Sequence, residues 1–125
     1  MLVKNVEELT IYQIALQFAT EIVCLIKDIP RYWNISECNQ ILRSSSSVHA
    51  NITEGFSHRF YPKQFIRYLS IAIGSSDETK NHLEKLYKDR YIKTEIASNF
   101  IKKYKNLSVR MVNFRNYLRK RHNIT

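Results

Sequence analysis

The chain has 125 residues, 44% of them apolar and 25% charged, and a net charge of +9. That length carries one core of ordinary size, and the composition excludes a disordered chain. Only two glycines and two prolines interrupt it, which excludes glycine-rich phosphate loops, leaves few tight turns and makes long helices the expectation.

Leu9, Tyr12, Leu16, Ala19, Val23 and Ile26 recur at three- and four-residue steps and predict a first helix. Pro30 ends it, because the residue before a proline is pushed out of helical backbone. The longest unbroken apolar run, 22–26, is far short of the roughly 20 residues that span a bilayer. No segment reads as a signal peptide, so a cytoplasmic protein without a membrane partner is expected. Cys24 and Cys38 lack a CxxC spacing and read as reduced core thiols.

Ser36, followed by Glu37, reads as the N-cap of a second helix running to about Phe56, with a stripe of Ile41, Ser45, Val48, Ile52 and Phe56. A second strip, Ser44, Ser47, Asn51 and Gly55, lies beside it at about 100° per residue. Its small side chains let another helix approach closely, as an oligomer contact or as a tight crossing inside the bundle. Glu54 reads as structural. An acid near a helix C-terminus is disfavoured by the macrodipole, so an ion pair with Arg67 or Arg43 is expected, with Asn51 capping freed backbone groups.

After a link at 57–61, Pro62 stands where a helix start tolerates proline. Phe65, Leu69, Ala72, Ile73, Ser76, Leu83 and Leu86 form the third stripe. A turn at 91–93 follows, and Thr94 with Glu95 reads as the capped start of a fourth helix. There Ile96, Phe100, Tyr104, Leu107, Met111, Phe114 and Leu118 hold one face. Short connections favour antiparallel neighbours. The expected fold is all-α: an antiparallel, up-down four-helix bundle, with residues 1–125 as a single domain.

Charge is unevenly spread. Residues 1–56 hold four Lys/Arg against six Asp/Glu, and residues 57–125 hold sixteen against five, with no acid after Glu95. Such asymmetry points to a polyanion. The candidate contacts are Arg59, Lys63 and Arg67 around the third-helix start, and Lys102, Lys103, Lys105, Arg110, Arg115, Arg119, Lys120 and Arg121 on the fourth helix. Tyr61 and Tyr117 are candidates for stacking on unpaired bases. Phosphate neutralisation of this kind is strongly salt-dependent and weakly sequence-selective.

Catalysis finds no support. The serines at 44–47 sit on a helix without a strained elbow or an Asp/His partner at a recognisable spacing. The histidines, His49, His58, His82 and His122, lack zinc-ligand spacing; His49 reads as a packing residue and His58 as a possible phosphate contact. The acid pairs Glu7–Glu8 and Asp77–Glu78 read as solvated surface. No catalytic residue, metal or cofactor is expected.

The segment 40–55, QILRSSSSVHANITEG, then Arg59, then KQFIRYLSIAIGSSDE and the later LYKDRYI, resembles the four-helix-bundle family encoded by intervening sequences in bacterial large-subunit ribosomal RNA genes. The pattern falls on Asn51, Ile52, Glu54, Gly55, Arg59, Phe65, Ile66, Arg67, Tyr68, Leu69, Ala72, Gly74, Ser75 and Glu78. The chain departs from it at 44–49, where the family is more apolar, and at Asp77. The resemblance implies a ring-shaped homopentamer with a basic surface and a central channel. From spacing and position on the helix, Ser44, Ser47, Asn51, Glu54 and Gly55 are expected to have a structural or oligomer-forming role.

The leading expectation is a non-enzymatic, oligomeric protein that binds RNA or DNA. The same family includes the accessory variability determinant of diversity-generating retroelements, so the alternative is a subunit that binds a reverse transcriptase with its template RNA and cDNA. From another class comes a protein–protein scaffold whose charge serves an acidic partner. If a neighbouring subunit lies against the serine- and glycine-lined flank of the second helix, several copies of the basic fourth helix share one particle.

Overall fold

Among the described residues, four helices follow a 3-10 turn at Val6–Glu8: α1 (Thr10–Lys27), α2 (Arg31–Ser57), α3 (Pro62–Lys88) and α4 (Thr94–Arg121). The computed structural model describes residues 3–125, and of residues 31–34 only the backbone. Among the described residues there is no strand. Cross-helix pairs give the direction. His82 on α3 meets Glu37 on α2, Thr79 meets Ser44, Ser75 meets Ser47, and Phe65 meets Gly55. The numbers fall on one helix as they rise on the other, so α2 and α3 are antiparallel. The pairs Ser76–Ser108 and Ser70–Arg115 show the same for α3 and α4. Tyr12–His49 and Glu21–Lys103 place α1 between α2 and α4. The result is a four-helix bundle.

One core runs through it, built on Ile22 and Ile26 from α1, Ile41, Val48 and Ile52 from α2, Phe65, Leu69, Leu83 and Leu86 from α3, and Tyr104, Leu107 and Met111 from α4. Between α2, α3 and α4 the core contains a seam of hydroxyls. The Thr79 hydroxyl lies 2.8 Å from both Ser44 Oγ and the Ser75 carbonyl oxygen. Ser47 Oγ and Ser75 Oγ are 2.9 Å apart, and Ser76 Oγ donates to the Tyr104 carbonyl at 3.1 Å. Buried hydroxyls cost free energy unless paired, so this seam fixes the register of three helices as well as their spacing.

The expectations fail at particular places. Ser36 is no N-cap: α2 begins at Arg31 directly after Pro30. Proline disfavours helix for the residue before it, not after it, so one residue both stops α1 and admits α2. Thr94 is the first helical residue of α4, with Lys93 as cap and no side-chain capping bond. The α1 stripe holds in part: Leu9, Ala19 and Ile26 are buried as expected, but Leu16 and Val23 are exposed, and Ile11, Ala15 and Ile22 take core positions the stripe left out. Apart from Glu21 and Lys27, α1 carries no charge, so its pattern has no polar face to set the phase. By length and composition α1 could even cross a membrane; here its inner face belongs to the bundle core. On α4, Ala97 is buried in place of Ile96. Cys24 is exposed rather than a core thiol, whereas Cys38 is buried.

Candidate nucleic-acid interface

The hairpin between α2 and α3 brings the two basic groups together. The link 58–61 closes through Tyr61 N–H donating to the His58 carbonyl at 2.8 Å, and Pro62 opens α3. Because α4 runs antiparallel to α3, its last turn returns to the same pole. Arg59, Phe60, Phe65, Tyr117, Arg121 and His122 therefore line one cavity of about 210 Å3, and Lys63 and His122 share the neighbouring depression. These residues lie some sixty positions apart in the chain, and only the bundle's topology unites them.

Each cation has a definite setting. The Arg59 guanidinium sits 4.3 Å from the Phe56 ring centroid and 4.7 Å from that of Phe60, and its Nη1 donates to the Phe56 carbonyl at 3.2 Å. Two rings and a carbonyl thus hold it in place. Arg67 packs over Tyr68 at 5.7 Å. Arg115 Nη1 donates to Ser70 Oγ at 3.1 Å across the α3–α4 groove, and Arg119 beside it is half-buried. Lys63, Lys102, Lys105, Arg110, Lys120 and Arg121 are exposed. Lys103 differs from the rest: it pairs with Glu21 of α1 at 2.5 Å. Burial alone would push the Glu21 carboxyl up, but hydrogen bonds from Lys103 and Gln17, with the Lys103 charge, hold it below its ordinary value. Lys103 is therefore a tie between α4 and α1.

The eleven candidates do not form one patch. Lys102, Lys103 and Lys105 lie near the start of α4, about 25 Å along the axis from Arg121 at a rise of about 1.5 Å per residue. The polar group is Arg59, Lys63, Arg119, Lys120 and Arg121, with Phe60, Tyr61 and Tyr117 among them, and these three rings are exposed by 79%, 68% and 49%. A carboxylate near this pole is already engaged: Glu8 accepts from the Lys4 and Asn5 backbone N–H groups, both at 2.9 Å.

The serine and glycine strip of α2 is filled from within the chain. Ser44, Ser47 and Gly55 face α3, and Asn51 donates to the Ser47 carbonyl and hydroxyl, both at 2.9 Å. A Cβ at Gly55 would come within 3.0 Å of Phe65 Cδ1 and Tyr68 Cβ. Of the two uses of small side chains, the tight crossing inside the bundle is made here, between α2 and α3. Gly55 and Glu54 lie in the last turn of α2, but Glu54 is exposed with no ion pair among the described residues. Arg43 pairs instead with Glu78, and His82 contacts Glu37 and Glu78. Asp77 accepts from Ser108 at 2.7 Å. The pair Asp77–Glu78 thus bridges helices, contrary to its reading as solvated surface. Sequence reasoning missed this clamp; its signal was the spacing of four between Glu78 and His82 on one helix.

His49 packs its ring against Tyr12, and burial holds its pKa below the ordinary value. His58 stacks on Tyr68 at 5.4 Å, and its Nδ1 lies 2.9 Å from the Glu54 carbonyl. The ring nitrogen must donate to that oxygen, which leaves Nε2 as the unprotonated position in the neutral form.

These features define a small, basic, all-helical bundle protein that brings Arg59, Lys63 and Arg121 together with exposed Phe60, Tyr61 and Tyr117 at one pole. The chain belongs to the 23S rRNA-intervening sequence protein family, whose model matches residues 7–113. It is also similar to a crystal structure of a protein of unknown function from the S23 ribosomal protein family of Bacteroides thetaiotaomicron. The two are 28% identical with a TM-score of 0.75, over 84% of this chain and 97% of that one. No curated protein matches.

Proposed function

We propose that this protein is a non-enzymatic, oligomeric nucleic-acid-binding protein. The observation that carries the proposal is the convergence of the link cations Arg59 and Lys63 with the acid-free end of α4 at one pole. Binding is favoured over hydrolysis because Ser44 and Ser45 are buried and Ser47 is hydrogen-bonded to Ser75.

The contact between copies falls on the outer groove of α1 and α2. Leu16, Thr20 and Val23 face Leu42, Ser46 and His49 there without a charged side chain between them. Water-exposed leucine and valine in one uncharged groove favour burial against a second copy. A ring of five, as the family resemblance implies, would present five basic poles and multiply effective concentration.

Sedimentation velocity and a salt titration of RNA and DNA binding test both parts. The expected result is an oligomer whose log K falls linearly with log salt, at about −0.9 per neutralised phosphate on duplex. A monomer at working concentration overturns the oligomer, and the absence of binding at low ionic strength overturns the nucleic-acid function in favour of a scaffold for an acidic protein.

A further inference from the structure

We infer that the polar cavity is a seat for one unpaired nucleotide, taking its base against the exposed rings and its phosphate against the guanidinium groups. The assignment rests on the nucleic-acid function proposed above and adds to it a preference for single strands.

The cavity joins two chemistries that simple phosphate binding does not need together. Its floor is apolar, because Phe65 is only 1% exposed and packs on Phe56 and Phe114. Its rim carries Phe60, 79% exposed, and Tyr117, 49% exposed. Large rings left in water beside a cavity are unusual for a surface with no ligand. Every nucleobase offers a π-face to such rings whatever its sequence.

The cations beside them are pre-positioned. Arg59 is held by Phe56, Phe60 and the Phe56 carbonyl, and Arg121 Nη1 lies 3.5 Å from the Tyr117 hydroxyl. Each guanidinium therefore stands next to one of the exposed rings, which is the arrangement a base and its own phosphate require. A guanidinium suits phosphate because its planar fork matches the oxygens.

Size then limits the ligand. Clefts for drug-sized molecules occupy about 300–1,000 Å3. At about 210 Å3 this cavity admits a single ring system and no larger cofactor. In a duplex each base is already stacked and its face hidden, so a duplex would reach the arginines and not the rings.

The test is fluorescence anisotropy with one labelled strand, as RNA and as DNA, each measured alone and annealed to its complement. The wild-type protein is expected to prefer the single strand roughly tenfold. Phe60→Ala and Tyr117→Ala are each expected to weaken single-strand binding roughly tenfold, since stacking on an aromatic ring is worth that order per base. The duplex, which reaches the arginines these rings hold but not the rings, is expected to lose clearly less than the single strand. The salt slope, which counts neutralised phosphates, should stay as it was. An equal loss on strand and duplex overturns the base seat. Both side chains are exposed, and circular dichroism melts establish that the variants are folded. Equal affinity for strand and duplex in the wild type, or unchanged single-strand affinity in both variants, overturns the base seat while leaving the basic pole as a nucleic-acid binder. Absence of binding to every probe overturns the pole's function and the base seat together.

Discussion

Gly55 and Gly74 are the chain's two glycines, both lie inside long helices, and their surroundings are opposite. An alanine Cβ at Gly55 would stand 3.0 Å from Tyr68 Cβ and from Phe65 Cδ1, and 3.4 Å from Phe65 Cε1. The Phe65 ring can turn by a few degrees. Tyr68 Cβ is fixed to its backbone, so α2 and α3 must part. At Gly74 nothing lies within 4 Å of the added carbon. Replacing a helical glycine by alanine gains about 1 kcal/mol from backbone propensity at either site. At Gly55 an overpacking cost of about 1–3 kcal/mol is set against that gain. Gly74→Ala is therefore expected to stabilise by about 1 kcal/mol, and Gly55→Ala to fall below it by about 1–3 kcal/mol. Because propensity cancels in the comparison, that difference is the cost of forcing the crossing apart. Urea unfolding of both variants measures it, and thermal melts should separate them by roughly 4 °C per kcal/mol. Two variants stabilised equally would refute the claim that the α2–α3 approach depends on a missing side chain.

Two further outcomes follow from local geometry. Arg90 closes α3 in the left-handed region at φ 66°, with Tyr91 N–H donating to the Leu86 carbonyl at 3.0 Å; Arg90→Gly is expected to stabilise by about 1 kcal/mol in urea, and a destabilised variant would show that the arginine makes a compensating contact. Glu21, held below its ordinary value, contributes stability that is present above that value and lost as pH falls through the lowered one. Glu21→Gln should therefore be less stable than wild type near pH 7 and converge with it below about pH 4.5, as followed by urea midpoints across pH; a constant gap down to pH 2 would contradict the Lys103 pairing.

The helices were legible in the sequence because so few residues break them and because α3 and α4 each alternate a buried stripe with charge. Phe65, Leu69, Ala72, Ile73, Leu83 and Leu86 all lie in the core where periodicity placed them. The phase of α1 was legible only in part, since a helix apolar nearly all round offers two overlapping stripes: Leu9, Ala19 and Ile26 belong to the buried one, Leu16 and Val23 do not. The beginning of α2 was hidden by Pro30, which reads as a stop while also serving as a start. Of the candidate interface, the residue types and their excess over acids could be read directly. Their grouping could not: Arg59 and Arg121 meet only because α3 and α4 are of nearly equal length and antiparallel. Lys103 looked the same as its neighbours in the sequence until α1 supplied Glu21. The small-residue strip on α2 was legible as a close contact, but which helix filled it depended on hydroxyl partners 28 to 35 positions away on α3.

The hydroxyl seam also bears on how the molecule opens. Helices α2, α3 and α4 share buried hydrogen bonds, whereas α1 is held by apolar packing and the Tyr12–His49 contact on α2, and by Lys103–Glu21 and the Phe18–Tyr104 ring contact on α4. Segments with fewer ties open at lower free energy than the global transition. The amino-terminal helix should thus be the first to exchange its amides, and its departure would bare Ile22 and Ile26 beside the outward Leu16 and Val23. Anything that covers the outer surface of that helix holds the whole subunit shut.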